Sequence, residues 1–232
     1  MKNRIKKISS IIMKLLLVCV IFFAIGNVVY RKHEEKKFQE EMNKLINKNL
    51  TTDTFNTPPK TDGTYKKIEK MIKNYLNMYS MKARKVLEIM SDEKLKSVLS
   101  YENYIADGPS FTNTLEYLTT KKETFNKEME ELIILTKKET ILKKIDKKYS
   151  PYYRDLYTQY MLGSDFQAEI EKSITELKLS RENINNLIDK EKKVIDFLVQ
   201  CKEWTMKETK IMFYKQDDLN TYNTLIGEVA GE

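Results

Sequence analysis

Beyond residue 30, glycine and proline occupy nine positions only: Pro58, Pro59, Gly63, Gly108, Pro109, Pro151, Gly163, Gly227 and Gly231. Both residues break helices or fit only at their ends, so the chain between them can run as long uninterrupted helices. That intervening sequence shows no sustained apolar/polar alternation of the kind a half-buried strand requires. With 6 Gly and 4 Pro in 232 residues, sandwiches, barrels and collagen-like chains are disfavoured as well. The expected fold is all-α.

Apolar residues recurring at three and four define the expected helices. The first runs from about Tyr65 to Ala106, with a stripe of Ile68, Ile72, Tyr75, Tyr79, Ala83, Val86, Leu87 and Met90. Ser91-Asp92 introduces a kink, after which Leu95, Val98 and Leu99 resume the stripe. Asp107-Gly108-Pro109-Ser110 reads as a turn in which Ser110 caps the next helix. That second helix carries Phe111, Leu115, Leu118, Phe125, Met129, Leu132, Leu135, Leu142 and Ile145, and ends near Lys148.

Ser150-Pro151 opens a short helix that Gly163 closes, and Ser164 with Gln167 forms a capping-box pattern for a third long helix. Its stripe is Phe166, Ile170, Ile174, Leu177, Ile184, Leu187, Val194, Leu198 and Cys201. Thr205 with Glu208 suggests one more cap, and a last helix bears Met206, Phe213, Tyr214, Leu219, Tyr222 and Leu225. Whether the chain turns at 202–205 or runs straight through is left open by the pattern. Short connections make consecutive helices antiparallel neighbours. The expected architecture is an elongated up-down bundle of three to four long helices plus one short helix.

Ahead of this body, Ile11 to Tyr30 reads IIMKLLLVCVIFFAIGNVVY. It is long enough to cross a ~30 Å hydrocarbon core as a helix, with Lys14 snorkelling and Tyr30 at the far interface. Lys2, Arg4, Lys6 and Lys7 precede it, which favours a cytoplasmic N-terminus. Cleavage near Ala24-Ile25-Gly26 as a signal peptide, giving a secreted protein, is the alternative. Cys19 reads as an apolar residue facing lipid. Either way residues 31–232 are expected outside the cytoplasm. The expected organisation is a basic cytoplasmic tail (1–10), a transmembrane anchor (11–30), a charged stalk and flexible linker (31–63) and an extracytoplasmic helical bundle (64–232).

The formal charge of +7 does not mark a nucleic-acid binder. Five of the 41 basic residues lie in residues 1–30, which hold no acid, so 31–232 carry 36 basic against 34 acidic residues. No segregated basic stripe stands out.

Reactive chemistry is sparse. The one histidine, His33, sits among charges beside the apolar segment and reads as a solvated residue. With no second histidine, neither a His-based metal cage nor a Glu-x-x-His di-iron bundle can form. Glu128, Glu130 and Glu131 read as a solvated acidic face with lysine partners a turn away. Asp217-Asp218 read as a helix start, and Cys201 as a structural thiol within an apolar stripe. Neither a nucleotide-binding loop nor a nucleophile with its base is found. No cofactor, metal site or enzymatic activity is expected.

One cluster is denser in aromatic residues than its surroundings. Tyr149, Tyr152, Tyr153, Tyr157 and Tyr160 fall within twelve residues beside Arg154, with Tyr153, Tyr157 and Tyr160 on one face of the short helix. They either close the end of the bundle or, with Arg154, form a partner-binding patch, since Tyr and Arg are common interface anchors. The expected function is that of a membrane-anchored scaffold binding envelope or extracellular proteins. A sensor or small-ligand-binding module working through a signalling partner is the alternative. Heptad-like stretches in 65–106 and 166–201 allow a homo-oligomer.

Overall fold

The computed structural model describes residues 28–50 and 52–231. The basic tail, Cys19 and all of the apolar segment except Val28, Val29 and Tyr30 lie outside the described residues. Among those described, no helix is long and apolar enough to cross a membrane.

Among the described residues the protein is mostly helical, with one small sheet. Residues 28–46 are helical (α1). There follow α2 (Gly63–Met90), α3 (Glu93–Lys96), α4 (Tyr101–Asp107), α5 (Thr112–Leu135), α6 (Lys138–Leu142), α7 (Pro151–Met161) and α8 (Ser164–Cys201). A hairpin of β1 (Trp204–Lys207) and β2 (Lys210–Phe213) precedes α9 (Gln216–Ala230). The described chain forms two compact units. One gathers 28–49, 53–77 and 144–160; the other gathers 50, 52, 78–143 and 161–231.

In the first unit, the segments expected to be a solvated stalk and a free linker are packed. Phe38, Met42 and Leu45 of α1 are buried, and so is Phe55 between the helices. The 58–61 stretch is strapped to α2 by one carboxylate. Glu69 accepts hydrogen bonds from the Lys60 amide (2.8 Å), the Thr61 amide (3.0 Å) and the Thr61 hydroxyl (2.7 Å). The buried Lys73 ammonium bridges Glu69 (2.7 Å) and Glu41 of α1 (2.6 Å) and donates to the Pro58 carbonyl (3.2 Å). Burial works against ionised Glu69, yet its hydrogen bonds from Lys73, Thr61 and the two amides outweigh that and hold its pKa below the ordinary carboxylate value. The charged sequence hid this because Lys and Glu are counted as solvated unless a partner can be foreseen.

In the second unit, the helix expected over 65–106 stops at Met90. Asp92 accepts from the Lys94 amide and starts α3, and Ser100 accepts from the Asn103 amide and starts α4. Two small N-caps therefore cut the expected helix into three. The second expected helix also divides, at Thr136, whose hydroxyl bonds back to the Ile133 carbonyl (2.7 Å). Asp107, rather than Ser110, serves the start of α5: its carboxylate accepts from the Thr114 (2.7 Å) and Asn113 (3.3 Å) amides. At the start of α8 the N-cap position is Gly163, with Ser164 already helical.

The all-α expectation is corrected at residues 204–213. Lys202, in the left-handed region, ends α8, and the chain folds into an antiparallel hairpin pairing Trp204 with Phe213 and Lys207 with Lys210. Trp204, Met206, Ile211 and Phe213 pack inward, while Thr205, Lys207, Lys210 and Met212 are exposed. The expected helix from Thr205 is thus a strand, and the last helix begins at Gln216.

The core of this unit has two parts. Leu95, Val98, Tyr104, Phe111, Leu118, Ile188, Val194, Ile195 and Leu198 form one, flanked by the hairpin and by Tyr222, Leu225, Ile226 and Val229 of α9. Tyr79, Ala83, Val86, Ile89, Phe125, Met129 and Leu132 form the other. Helix α5 packs along α8, and α8 along α9. Between α5 and α8 lies a polar layer: Asn126 and Asn185 exchange amide hydrogen bonds (2.9 and 3.0 Å), and Arg181 Nε donates to Asn126 Oδ1 (2.7 Å).

Phe125→Ala is expected to destabilise the second unit by about 3–5 kcal/mol. Leu87→Ala, at an exposed position of the expected stripe, should shift stability by no more than about 0.5 kcal/mol. Lys73→Met should cost about 3–5 kcal/mol by removing the cation that the buried carboxylates of Glu41 and Glu69 share in the first unit. Urea unfolding followed by circular dichroism checks all three.

Candidate functional site

The tyrosine segment forms α7 together with the chain before it. Pro151 is the first helical residue, as Ser150-Pro151 indicated. The expected Tyr153–Tyr157–Tyr160 face turns inward. Tyr157 is completely buried, and burial pushes its pKa up to about 12. Tyr160 meets the Phe38 ring edge-on (5.5 Å between centroids), and Tyr153 meets Tyr65 (5.2 Å). Tyr157 is core of the first unit, and half-buried Tyr153 and Tyr160 pack their rings at its edge, where burying aromatic surface is their main contribution.

The presented part of the cluster is different. Tyr152 is exposed, its hydroxyl hydrogen-bonded to that of Tyr65 (2.8 Å) and its ring edge-on to Tyr153 (5.1 Å). Tyr149 is half-buried, with the Lys148 ammonium 5.8 Å from its ring centre. Arg154 is half-buried, with its Nε enclosed and without a hydrogen-bond partner. The six candidates therefore separate into Tyr153, Tyr157 and Tyr160, which build the unit, and Tyr149, Tyr152 and Arg154, which reach its surface.

The second unit holds a groove that the sequence did not suggest. It measures about 410 Å3 and is lined by Lys94 and by Asn113, Glu116, Tyr117, Thr120, Lys121 and Thr124 of α5. Tyr117 is fixed at its centre by a hydrogen bond to Asp92 (2.9 Å), which also pairs with Lys121. The ammonium groups of Lys94 and Lys121 lie 4.4 and 5.3 Å from the Tyr117 ring centre. The hydrogen bond from Lys121 lowers the Asp92 pKa most, ahead of the opposing effect of burial, with Tyr117 and the Lys94 amide adding to it. Tyr117 and Lys121 are one turn apart in sequence, a signal that was present. Lys94 comes from a separate short helix, which spacing along α5 cannot reveal.

The acidic residues of KEMEEL take partners from another helix. Glu128 is buried and bonded by Lys82 (2.8 Å) and Lys85 (2.5 Å) of α2, and Glu131 also pairs with Lys82. The expectation of a solvated face with partners a turn away is corrected for these two; Glu130 is exposed. The two lysine hydrogen bonds are the main reason the Glu128 pKa is lowered.

His33 is exposed, and Asp217 and Asp218 lie in the first turn of α9. Cys201 is half-buried, and burial is the largest reason its pKa is raised. Among the described residues no three His, Cys, Asp or Glu side chains group as metal ligands. Comparison of the chain with protein-family models, curated proteins and solved structures finds no match.

Among the described residues, Glu191 of α8 is a buried carboxylate with one oxygen left without a partner. It is 95% buried, and its Oε2 has no hydrogen-bond partner. Burial pushes its pKa up to about 7. Because the folded form keeps a proton that the unfolded form releases near pH 4.5, stability falls as pH rises between these values and levels off above about 7. The total loss is about 3 kcal/mol. Glu191→Gln should remove this slope, leaving the variant more stable than the parent at pH 8 and nearly equal at pH 4, as read by thermal unfolding at both values.

Proposed function

We propose that the chain is a single-pass membrane protein whose N-terminus is cytoplasmic and whose helical body, an up-down arrangement of long helices, lies outside. It acts without catalysis, as an interaction module for envelope or extracellular proteins. The anchor is residues 11–30, by length, apolarity and the flanking Lys and Arg.

The observation that carries the partner-binding reading is the separation within the tyrosine cluster. Helix α1 includes Val28, Val29 and Tyr30, the last residues of the apolar segment, and its Phe38 packs against Tyr160 of α7. The unit that continues from the proposed anchor therefore also displays Tyr152, Tyr149 and Arg154. An exposed tyrosine held by neighbouring rings, with half-buried Arg154 and Tyr149 near it in the chain, supports a rigid polar-aromatic anchor for another protein. Tyr152 loses little freedom on binding because Tyr65 and Tyr153 already restrain it.

A photo-crosslinking amino acid at position 152, in intact cells, is expected to capture a discrete protein. Tyr149→Ala with Arg154→Ala should reduce that capture at least about tenfold, while the far-ultraviolet circular dichroism stays unchanged. A tag fused after Glu232 should be digested by protease added to whole cells. A tag that is digested only after lysis removes the anchored, outward-facing reading.

A further inference from the structure

We propose that the groove beside Tyr117 binds an acidic polyhydroxylated compound, a sugar or polyol carrying one carboxylate or phosphate. The proposal rests on the second unit alone and is independent of the anchor and of the tyrosine surface of the first unit.

The groove supplies a cation whose charge is not already neutralised by an ion pair. Lys121 is paired with Asp92, but no carboxylate among the described residues lies within ion-pair distance of exposed Lys94. The Lys94 ammonium instead rests on the Tyr117 ring at 4.4 Å. A cation over an aromatic face at an exposed site gains less than a charge-assisted hydrogen bond to an anion contributes. Lys94 is thus held in place without being saturated.

Neutral hydrogen-bonding groups continue the site. Asn113, Tyr117, Thr120 and Thr124 are spaced by four, three and four residues, so they form one row on α5. Eleven residues of helix extend about 16 Å, room for two to three sugar-sized units in line. The hydroxyls of Thr120 and Thr124 have no hydrogen-bond partner among the described residues, and the Asn113 amide donates to Asp107 while its carbonyl stays available. Hydroxyl groups of a ligand can satisfy all three.

The surroundings also limit the charge. Glu116 lies on the same wall as an exposed carboxylate, which penalises a polyanion more than a ligand with a single acidic group. The volume of about 410 Å3 falls within the size range of small-ligand sites. Tyr117 is already fixed by Asp92 (2.9 Å), so little ordering cost remains at binding.

The test uses the full chain in detergent solution with tyrosine rings carbon-13 labelled, and follows the Tyr117 resonance. Lactobionate, a two-unit sugar acid with a single carboxylate, and sorbitol 6-phosphate are the two acidic probes; maltotriose and inorganic phosphate are the controls. At least one acidic probe is expected to give a saturable shift, with maltotriose at least about tenfold weaker. Which of the two binds tells carboxylate from phosphate as the acidic group. Lys94→Ala, at an exposed position, and Thr120→Ala with Thr124→Ala should each weaken binding at least about tenfold.

No saturation by either acidic probe up to about 10 mM overturns the proposal. So does binding that survives the Lys94 or the double threonine change. Equal affinity for inorganic phosphate, or for maltotriose, overturns it too, since the site would then need only one of its two recognition elements.

Discussion

A single indole ties together the apolar centre of the second unit. Trp204 stacks on Phe111 (5.9 Å, 25° between planes), leans on Tyr104 (6.3 Å) and donates its Nε1 proton to the Leu198 carbonyl in the last turn of α8 (2.8 Å). One side chain thus joins the end of α4, the turn before α5, the end of α8 and the hairpin, while satisfying a carbonyl that helix termination leaves open. Its fit dictates Gly108: a Cβ there would meet the indole at 3.0 Å and the Tyr104 carbonyl at 2.4 Å. Backbone and ring approach closely because glycine leaves the space.

Burial of charge follows one rule in both units, and Glu191 departs from it. Lys73, Glu69 and Glu128 are buried with full sets of partners, and the hydrogen bonds to Glu69 and Glu128 hold both carboxyl pKa values below the ordinary value. Such pairs contribute little net stability against apolar replacements but are costly to break. They make the arrangement specific: Lys73 can reach both carboxylates only if α1 and α2 sit in one relative register. Glu191 has burial without pairing, and the consequence is a pKa near 7 and a stability that depends on pH.

The helical class and most buried stripes were readable from period alone. Ile68, Ile72, Leu118, Phe125, Met129, Val194 and Leu198 are all buried as the spacing implied. Helix ends were less legible, because Asp92, Ser100 and Asp107 cap by reaching particular amides, and a polar residue inside a helical pattern looks the same whether it caps or is solvated. The hairpin was hidden for a separate reason. Its strands are four residues long, and its turn places Glu208 at positive φ, where a glycine or asparagine would have advertised it. Of the tyrosine cluster the sequence revealed the helix and its face, but aromatic spacing is identical for a face turned inward and one turned outward. Only Phe38 and Tyr65, distant in sequence, decide between them.

The polar layer of Asn126, Asn185 and Arg181 has a consequence for how the two long helices can slide. A displacement of α5 along α8 by one turn, about 5.4 Å, would break the three hydrogen bonds that join these half-buried groups, at about 0.5–1.5 kcal/mol each. Leucine and isoleucine on either side would tolerate many offsets almost equally. The layer therefore works as a detent in an otherwise smooth bearing: it adds little grip, but it leaves the pair of helices one resting position.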